Sequence, residues 1–143
     1  KLGVTAWSPL AGGILTGKYH GHGSAEGGRM SSDMMKEFLP EEKRAAAIVA
    51  AVKTVADETG RSMAQVALAW LRYRSVPVIP IIGARKLSQL EDNLASLDVS
   101  LSAEQVKALD EASQIDLGFP HTMFDKELVR GLMSGGMADK IVT

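Results

Sequence analysis

The chain has 143 residues, of which 45% are hydrophobic and 23% charged, with 16 basic and 17 acidic residues. This composition is typical of a folded globular protein and excludes a disordered or fibrous one. A formal net charge of −1 without a basic stripe argues against a nucleic-acid partner. No apolar run is long enough to span a bilayer, and there is no cysteine for disulfides or thiolate metal sites. We therefore expect a cytoplasmic protein without a membrane partner.

The first predicted element is a strand over Val4–Trp7, where β-forming residues precede Pro9. Proline lacks the backbone N–H that a sheet ladder needs, so the strand should end before it. The chain opens at Lys1 without methionine and enters this strand almost at once. That start is typical of a truncated chain.

Seven glycines between Ala11 and Arg29 predict a long surface loop. Within it, Gly12 and Gly17-Lys18 have the spacing of a phosphate-binding P-loop. Tyr19, however, stands where such a loop needs a magnesium-binding Ser or Thr. A loop with an anion-binding lysine is the better interpretation.

Histidines suggest a metal site only weakly. His20, His22 and Glu26 share the glycine-rich loop, but a third imidazole does not lie near them in the sequence. Solvated loop residues are the simpler interpretation, and no metal is predicted. His121 stands alone beside Pro120, where it fits either an exposed tail or the rim of a substrate pocket.

Two helices are predicted after the loop. Pro40 is a suitable first helical residue, and apolar residues at helical spacing continue to Gly60, which should end the helix. Ser62 and Gln65 have the spacing of a capping box, which predicts the start of a second helix. Trp70 lies on the apolar stripe of that helix, so we expect it in the core.

A second strand is predicted over residues 76–82, which are apolar on both faces, with Gly83 at its end. A helix over Leu87–Leu97 should then follow. Its leucines are spaced three or four residues apart, so we expect them to bury one face. They are Leu87, Leu90, Leu94 and Leu97.

The end of the chain contains one further strong helix signal. Ser102 and Gln105 form another capping-box pattern, which predicts a helix ending near Ser113. Beyond it we expect a loop-rich tail over residues 114–143, with a short helix near residues 126–133.

The order of strand, helices, strand and helices is that of a parallel sheet with helical crossovers, an α/β fold. Two parallel strands cannot form a stable domain, because their edges and apolar faces would stay exposed. The remaining strands must therefore come from elsewhere, most simply from a missing N-terminal portion.

Polar and aromatic residues follow both predicted strands. Arg85 and Lys86 lie between a strand end and a helix start, where cations and backbone amides suit a phosphate; a solvated charge pair is the alternative. Trp7 ends the first strand, so it is either a core indole or a stacking surface for a ligand. Asp92 and Asn93 are either helix-surface residues or groups that hydrogen-bond an adenine edge.

Two segments closely resemble signatures of the aldo-keto reductase family. They are Trp7 to Tyr19, WSPLAGGILTGKY, and Ile79 to Leu94, IPIIGARKLSQLEDNL. Leu101–Glu104 resembles the segment that follows the last barrel helix, so the resemblance extends to about Ser113. The chain is most similar to the bacterial and potassium-channel-β-subunit-like branch.

The resemblance implies the C-terminal portion of a (β/α)8 TIM barrel, with Val4–Trp7 as strand seven and Val78–Ile82 as strand eight. It implies one domain over residues 1–143, with barrel elements and a final helix in 1–113 and a tail in 114–143. The implied cofactor is NADP(H), and the implied partners are a small-molecule carbonyl substrate and the missing N-terminal part of the barrel.

By the same resemblance, Trp7 stacks on the nicotinamide, and the residues after it line the pyrophosphate. Lys18 and Arg29 close over the cofactor, and Gly83 and Arg85 bind the 2′-phosphate, with α-helical polar residues beside the adenine. The implied cofactor-binding set is Trp7, Ser8, Pro9, Leu10, Gly13, Lys18, Arg29, Ile82, Gly83, Arg85, Gln89, Asp92 and Asn93.

The catalytic Asp, Tyr, Lys and His of the family come from earlier strands, and none of those motifs occurs here. Lys18 and Tyr19 are adjacent loop residues and do not match them, so no catalytic residue is predicted. The resemblance implies that the full-length parent reduces aldehydes or ketones with NADPH. The alternatives are a slow or non-catalytic regulatory subunit on the same barrel, and a barrel that has lost its ligand.

Overall fold

The computed structural model describes residues 2–18, 42–124, 126–137 and 140. The chain divides into two compact units, Lys1–Ser113 and Gln114–Thr143. Each unit is described by itself below. Arg29 and the loop histidines and glutamate considered above lie outside the described residues.

The first unit alternates strands and helices in the predicted order. Its strands are β1 (Val4–Trp7) and β2 (Val78–Ile81), and its helices are α1 (Glu42–Thr59), α2 (Met63–Trp70), α3 (Leu87–Leu94) and α4 (Ala103–Ser113). Short 3-10 segments lie at Ala11–Thr16, Leu71–Tyr73 and Ala95–Asp98. The fold is mixed α/β, as predicted.

The two strands pair in parallel, which confirms the predicted relation between them. Val4 lies opposite Val78 at the start of the pair, and Trp7 lies opposite Ile81 at its end. The second strand is shorter than the predicted 76–82. Pro77 has no backbone N–H to donate, and its carbonyl accepts from the N–H of Val4 at 2.9 Å, so the ladder begins only after it.

The helix boundaries follow the predicted signals. α1 ends before Gly60, whose φ of +63° is a conformation that glycine adopts without strain. α2 begins with a complete capping box, in which the Ser62 hydroxyl accepts from the Gln65 N–H at 3.1 Å and Gln65 Oε1 accepts from the Ser62 N–H. Ser102 and Gln105 form the equivalent box at α4.

At the first turn of α4, the Glu104 carboxyl lies among hydrogen-bond donors. The backbone N–H of Glu104 and then the Ser102 hydroxyl donate to it and lower its pKa below the ordinary value. The charged carboxylate also lies beside the positive end of the helix dipole, which adds to the stability of this helix start.

The core of the first unit lies between α1, α2, α4 and the segment that enters α4. Small and β-branched side chains fill it, which lets the helix axes approach closely. The buried residues of this cluster are Val52, Val55, Ala56, Val66, Ala69, Val99, Leu101 and Leu109.

The prediction that α3 buries its leucine face is wrong for the described chain. Leu87 is 71% exposed and Leu97 is 63% exposed, and Leu90 and Leu94 are exposed as well. The helix instead turns its polar side inward, where Asn93 is buried. Hydrogen bonds from the start of α2 to Asp92 hold that side against α2.

The segment after β1 also differs from the prediction of an irregular loop. Residues 11–16 wind into 3-10 turns, interrupted where Gly12 and Gly13 have positive φ. Thr16 donates its hydroxyl proton to the Gly13 carbonyl at 2.7 Å. The glycines therefore allow a tightly wound turn at this position.

Trp70 is only half-buried, and a polar cluster holds its ring. The indole N–H donates to Asp110 Oδ1 at 2.7 Å, and Arg74 donates to the same oxygen at 2.6 Å. The Arg74 guanidinium also lies 3.9 Å from the centre of the Trp70 ring. This cluster fastens the end of α2 to α4, so Trp70 joins two helices as well as lining the core.

The second unit contains two short helices, α5 (His121–Phe124) and α6 (Glu127–Met133). The second of them matches the helix predicted near residues 126–133. In neither unit does any described helix combine the length and hydropathy that crossing a membrane requires.

Replacing Asp110 with alanine should lower the free energy of unfolding by about 1–2 kcal/mol, because two buried or partly buried donors lose one acceptor. The expected loss is at the lower end of what donors without an acceptor cost, because the Asp110 side chain is 42% exposed. Urea unfolding of the protein measures the change. The control is Glu111→Ala, which breaks only an exposed pair with Lys107 and should change stability by less than about 0.5 kcal/mol. Equal effects of the two variants would contradict the role of Asp110 in joining α2 to α4.

Candidate functional site

The parallel pair brings two of the predicted binding segments to one edge of the sheet. Trp7 and Ile81 form the last pair of the ladder, so Ser8 and Ile82 leave the sheet side by side. In parallel α/β sheets this carboxyl edge is where ligands bind. The residues predicted on the two loops therefore share an edge.

The turn after β1 is strained and internally hydrogen-bonded. Ser8 has a φ of +55° and Ala11 a φ of +49°, values that residues with a side chain rarely adopt. The Ser8 hydroxyl accepts from the Gly12 N–H at 3.1 Å, and its carbonyl accepts from the Ala11 N–H at 2.8 Å. Strain of this kind gathers at ligand-binding sites, where the surrounding bonds maintain it.

Lys18 lies over the same turn. A Cβ atom placed on Gly13 would come within 2.5 Å of Lys18 Cε and 2.6 Å of its Nζ. The ammonium group therefore sits where any larger residue at Gly13 would put its side chain. Two residues predicted to bind the cofactor are thus in contact, and they place a positive charge at the strand edge.

The turn after β2 is organised by Gln89. Its Oε1 accepts from the N–H of Arg85 at 2.9 Å and from the N–H of Lys86 at 3.3 Å. These two amides, which the sequence suggested for a phosphate, are thus bonded within the turn. What the turn presents to a ligand is then the exposed side chains of Arg85 and Lys86 and the amide nitrogen of Gln89.

Asp92 and Asn93 lie one turn farther along α3, and neither is an open surface group. Asp92 accepts from the Ser62 hydroxyl at 3.0 Å and from Gln65 Nε2 at 2.7 Å, using both carboxylate oxygens. Asn93 is 5% exposed. Their roles beside an adenine stay predictions.

Trp7 is not a core residue, because 72% of it is exposed at the end of β1. Burial is the usual fate of an indole, so a ring that the first unit leaves uncovered is available to another part of the protein or to a ligand. A flat apolar surface at a ligand-binding edge is suited to stacking against an aromatic group of a ligand.

The predicted residues do not all meet in one cavity. An apolar cavity of about 210 Å³ lies between the first 3-10 segment, α1, α2 and α4, and Pro9 and Arg44 contribute to its wall. None of the residues predicted on the second loop or α3 lines it. Within the parts of the chain that the structure describes, no three His, Cys, Asp or Glu residues gather as a metal site would require.

Two further residues near the site, Ser62 and Gln65, have no link to it in the sequence. Their spacing predicts a capping box, but the carboxylate that they bind lies 27 residues beyond Gln65. A glutamine in a capping box uses its side-chain oxygen for the cap, and its side-chain NH2 group can donate to a partner outside the helix. This is the one signal in the sequence for a bond such as that to Asp92.

The sequence profile of the aldo/keto reductase family matches residues 1–114. The chain belongs to this family. The match covers both strands, the four helices of the first unit and all of the predicted cofactor residues.

Relatives of this aldo/keto reductase chain include named oxidoreductases and channel subunits. The uncharacterized oxidoreductase YrpG of Bacillus subtilis is 36% identical over 77% of the chain and 32% of its own length. The aryl-alcohol dehydrogenase [NADP(+)] of Phanerodontia chrysosporium is 37% identical over 71% of the chain and 26% of its own length. A probable voltage-gated potassium channel subunit beta of Arabidopsis thaliana is 34% identical over 68% of the chain and 30% of its own length. The chain spans about a third or less of these relatives.

Replacing Gly13 with alanine should lower the free energy of unfolding by about 1–2 kcal/mol, because its φ of +99° strains any residue with a Cβ. The new methyl group should also displace Lys18. Urea unfolding measures the stability. The position of Lys18 is followed by the rate at which an amine-reactive reagent labels it, and this rate should change in the variant.

Gly3→Ala is the matched control. A Cβ there would meet only the Pro77 carbonyl at an ordinary 3.6 Å, and Gly3 has no positive φ. Its effect should stay within about 0.5 kcal/mol. If Gly13→Ala changes the free energy of unfolding as little as Gly3→Ala and leaves Lys18 labelling unchanged, the contact between Gly13 and Lys18 does not restrict the residue at position 13.

Proposed function

We propose that the protein carrying this chain reduces aldehydes or ketones to alcohols with NADPH in the cytoplasm, and that this chain supplies most of the cofactor site. In this proposal β1 and β2 are the seventh and eighth strands of a (β/α)8 barrel. One observation carries it: the exposed Trp7 ring, the Lys18-covered turn and the Arg85 turn all belong to segments that leave the same sheet edge.

A phosphorylated dinucleotide fits the chemistry of these segments. The nicotinamide is a flat ring that Trp7 can stack on, and the pyrophosphate carries charge that Lys18 can pair with above the Gly13 turn. The 2′-phosphate suits Arg85, whose planar guanidinium can make two parallel hydrogen bonds to it. The backbone around the nicotinamide and the phosphates comes from the remaining residues of the two turns, which are Ser8, Pro9, Leu10, Ile82 and Gly83.

The remaining members of the predicted site contribute from α3 and the loop. Gln89 offers its amide nitrogen close to Arg85, and Asn93 lies one turn farther along the same helix. Arg29, outside the described residues, is proposed to close over the cofactor together with Lys18.

Exposed apolar surface supports the proposal that this chain is part of a larger barrel. Val4 is 48% exposed, and Ile79 and Ile81 are 60% and 51% exposed. The leucine face of α3 is exposed as well. Both strands also have only each other as a ladder partner among the described residues. The N-terminal portion of the barrel is the proposed partner that covers these faces and edges.

When bound, NADPH supplies the hydride that reduces the carbonyl carbon of the substrate. The residues of this chain hold and orient the cofactor, and the proton for the carbonyl oxygen comes from outside it. In the proposal, a tyrosine of the N-terminal portion donates that proton, with a neighbouring lysine and histidine adjusting its acidity. No catalytic residue is assigned to this chain.

A regulatory subunit on the same barrel is the second candidate. The Arabidopsis channel-subunit relative is 34% identical to the chain, and a putative voltage-gated potassium channel subunit beta of Schizosaccharomyces pombe is 35% identical. These values are close to the 37% of the aryl-alcohol dehydrogenase. Carbonyl turnover by the intact protein separates the candidates, because a regulatory subunit would bind NADPH with little or no turnover.

Replacing Arg85 with alanine in the intact protein should weaken NADPH binding by about 1–3 kcal/mol and NADH binding much less. The reason is that only NADPH carries the 2′-phosphate that the guanidinium would bind. Quenching of tryptophan fluorescence during cofactor titration measures both affinities.

The control for Arg85→Ala is Lys53→Ala, which removes an exposed cation paired only with Asp57 within α1. It should leave both affinities unchanged. An equal loss for NADPH and NADH in Arg85→Ala would refute the 2′-phosphate role. No quenching by NADPH in the unmodified protein would favour a barrel that has lost its ligand.

The 143-residue chain expressed alone should associate or fail to melt cooperatively, because its strand edges and leucine face are open. Sedimentation and thermal unfolding measure this. Leu90→Gln with Leu94→Gln should make the isolated chain more soluble but destabilise the intact protein. A monomeric isolated chain with a cooperative melt would contradict the barrel proposal.

A further inference from the structure

The start of α2 and the middle of α3 are joined by a closed set of hydrogen bonds. Ser62 Oγ donates to Asp92 Oδ2 at 3.0 Å and accepts from the Gln65 N–H at 3.1 Å. Gln65 Nε2 donates to Asp92 Oδ1 at 2.7 Å, while its Oε1 accepts from the Ser62 N–H. Both α2 side chains therefore bond the Asp92 carboxylate and each also bonds the other residue's backbone N–H, and we call the three residues the Ser62–Gln65–Asp92 network.

The network determines which face of α3 packs on α2. With both carboxylate oxygens of Asp92 bonded to the α2 start, the side that carries Asn93 and Ser96 is buried, and the leucine face is left for the proposed N-terminal portion of the barrel. Beyond α3, Arg72 fixes the chain a second time by donating to the carbonyls of Leu97 and Val99.

The same helix carries the residues proposed for the adenosine end of the cofactor. Gln89 precedes Asp92 by three residues, so the two lie on neighbouring turns of one face. Gln89 in turn accepts from the backbone N–H of Arg85, so the phosphate-binding turn is tied to the helix start. A rotation of α3 about its axis would move Gln89 and the Arg85 turn together.

We propose that Ser62, Gln65 and Asp92 are positioning residues for the cofactor site, which set the rotation of α3 and through it the place of Gln89 and Arg85. This inference rests on the proposed NADPH site. It assigns to Ser62 and Gln65 a role beyond helix capping. It also makes Asp92 act through the placement of the helix, since both of its oxygens are bonded to α2.

The chain contains a matched control for this network. Ser102 and Gln105 form an equivalent capping box at α4, and Gln105 Nε2 also donates to a carboxylate of another helix, Glu58 Oε2, at 3.0 Å. The residue types, the cap geometry and the glutamine-to-carboxylate bond are the same. The differences are that the carboxylate of Glu58 lies on α1 and that the Ser102 hydroxyl donates to Glu104 of its own helix.

The experiment compares Ser62→Ala, Asp92→Asn and Ser102→Ala in the intact protein, with Ser62→Thr as the conservative variant. Hydrogen exchange without cofactor should accelerate at the α3 amides in Ser62→Ala and Asp92→Asn. Fluorescence titration should show NADPH affinity lowered about 3- to 10-fold in each. The double variant Ser62→Ala/Asp92→Asn should lose less than the product of the single losses, because both break one network.

Ser62→Thr, which keeps the hydroxyl, should behave like the unmodified protein, and Ser102→Ala should alter neither NADPH affinity nor exchange in α3. Equal behaviour of Ser62→Ala and Ser102→Ala would overturn the inference and leave the proposed function intact. Loss of affinity in Asp92→Asn alone would also overturn it, since that result assigns Asp92 a direct contact. If the unmodified protein does not bind NADPH at all, the proposed function fails, and the positioning role fails with it.

Discussion

The parallel pairing of β1 with β2 is the constraint on which the rest of the site depends. The register that sets Trp7 opposite Ile81 makes the two following turns leave one edge together, although the two residues are 74 positions apart in the chain. Antiparallel pairing would send the turns to opposite edges.

The two turns are made rigid in different ways. After β1, positive φ values at Ser8 and Ala11 are held by bonds within the turn, and Lys18 lies over Gly13. After β2, the side chain of Gln89 bonds two backbone amides and leaves cationic side chains exposed. Both turns are therefore formed before a ligand arrives, so little ordering entropy would be lost on binding.

Local signals in the sequence predicted most of the first unit. Gly60 and the two capping pairs predicted the end of α1 and the starts of α2 and α4, because those signals act within a few residues. The predicted start of α1 at Pro40 lies outside the described residues. The orientation of α3 was not predictable in this way, since it depends on a bond between Asp92 and residues about 30 positions earlier. Leucine spacing indicated the opposite face. The family resemblance identified the candidate site residues, but the hydrogen bonds that position them are visible only in the structure.

The most direct test of the account is a crystal structure of the intact protein with NADP⁺ bound. The account predicts that the nicotinamide lies against Trp7, the pyrophosphate lies at the Gly13 turn beneath Lys18, and the 2′-phosphate is within hydrogen-bond distance of Arg85. A cofactor bound away from the β1–β2 edge, or a 2′-phosphate that faces other residues, would contradict it.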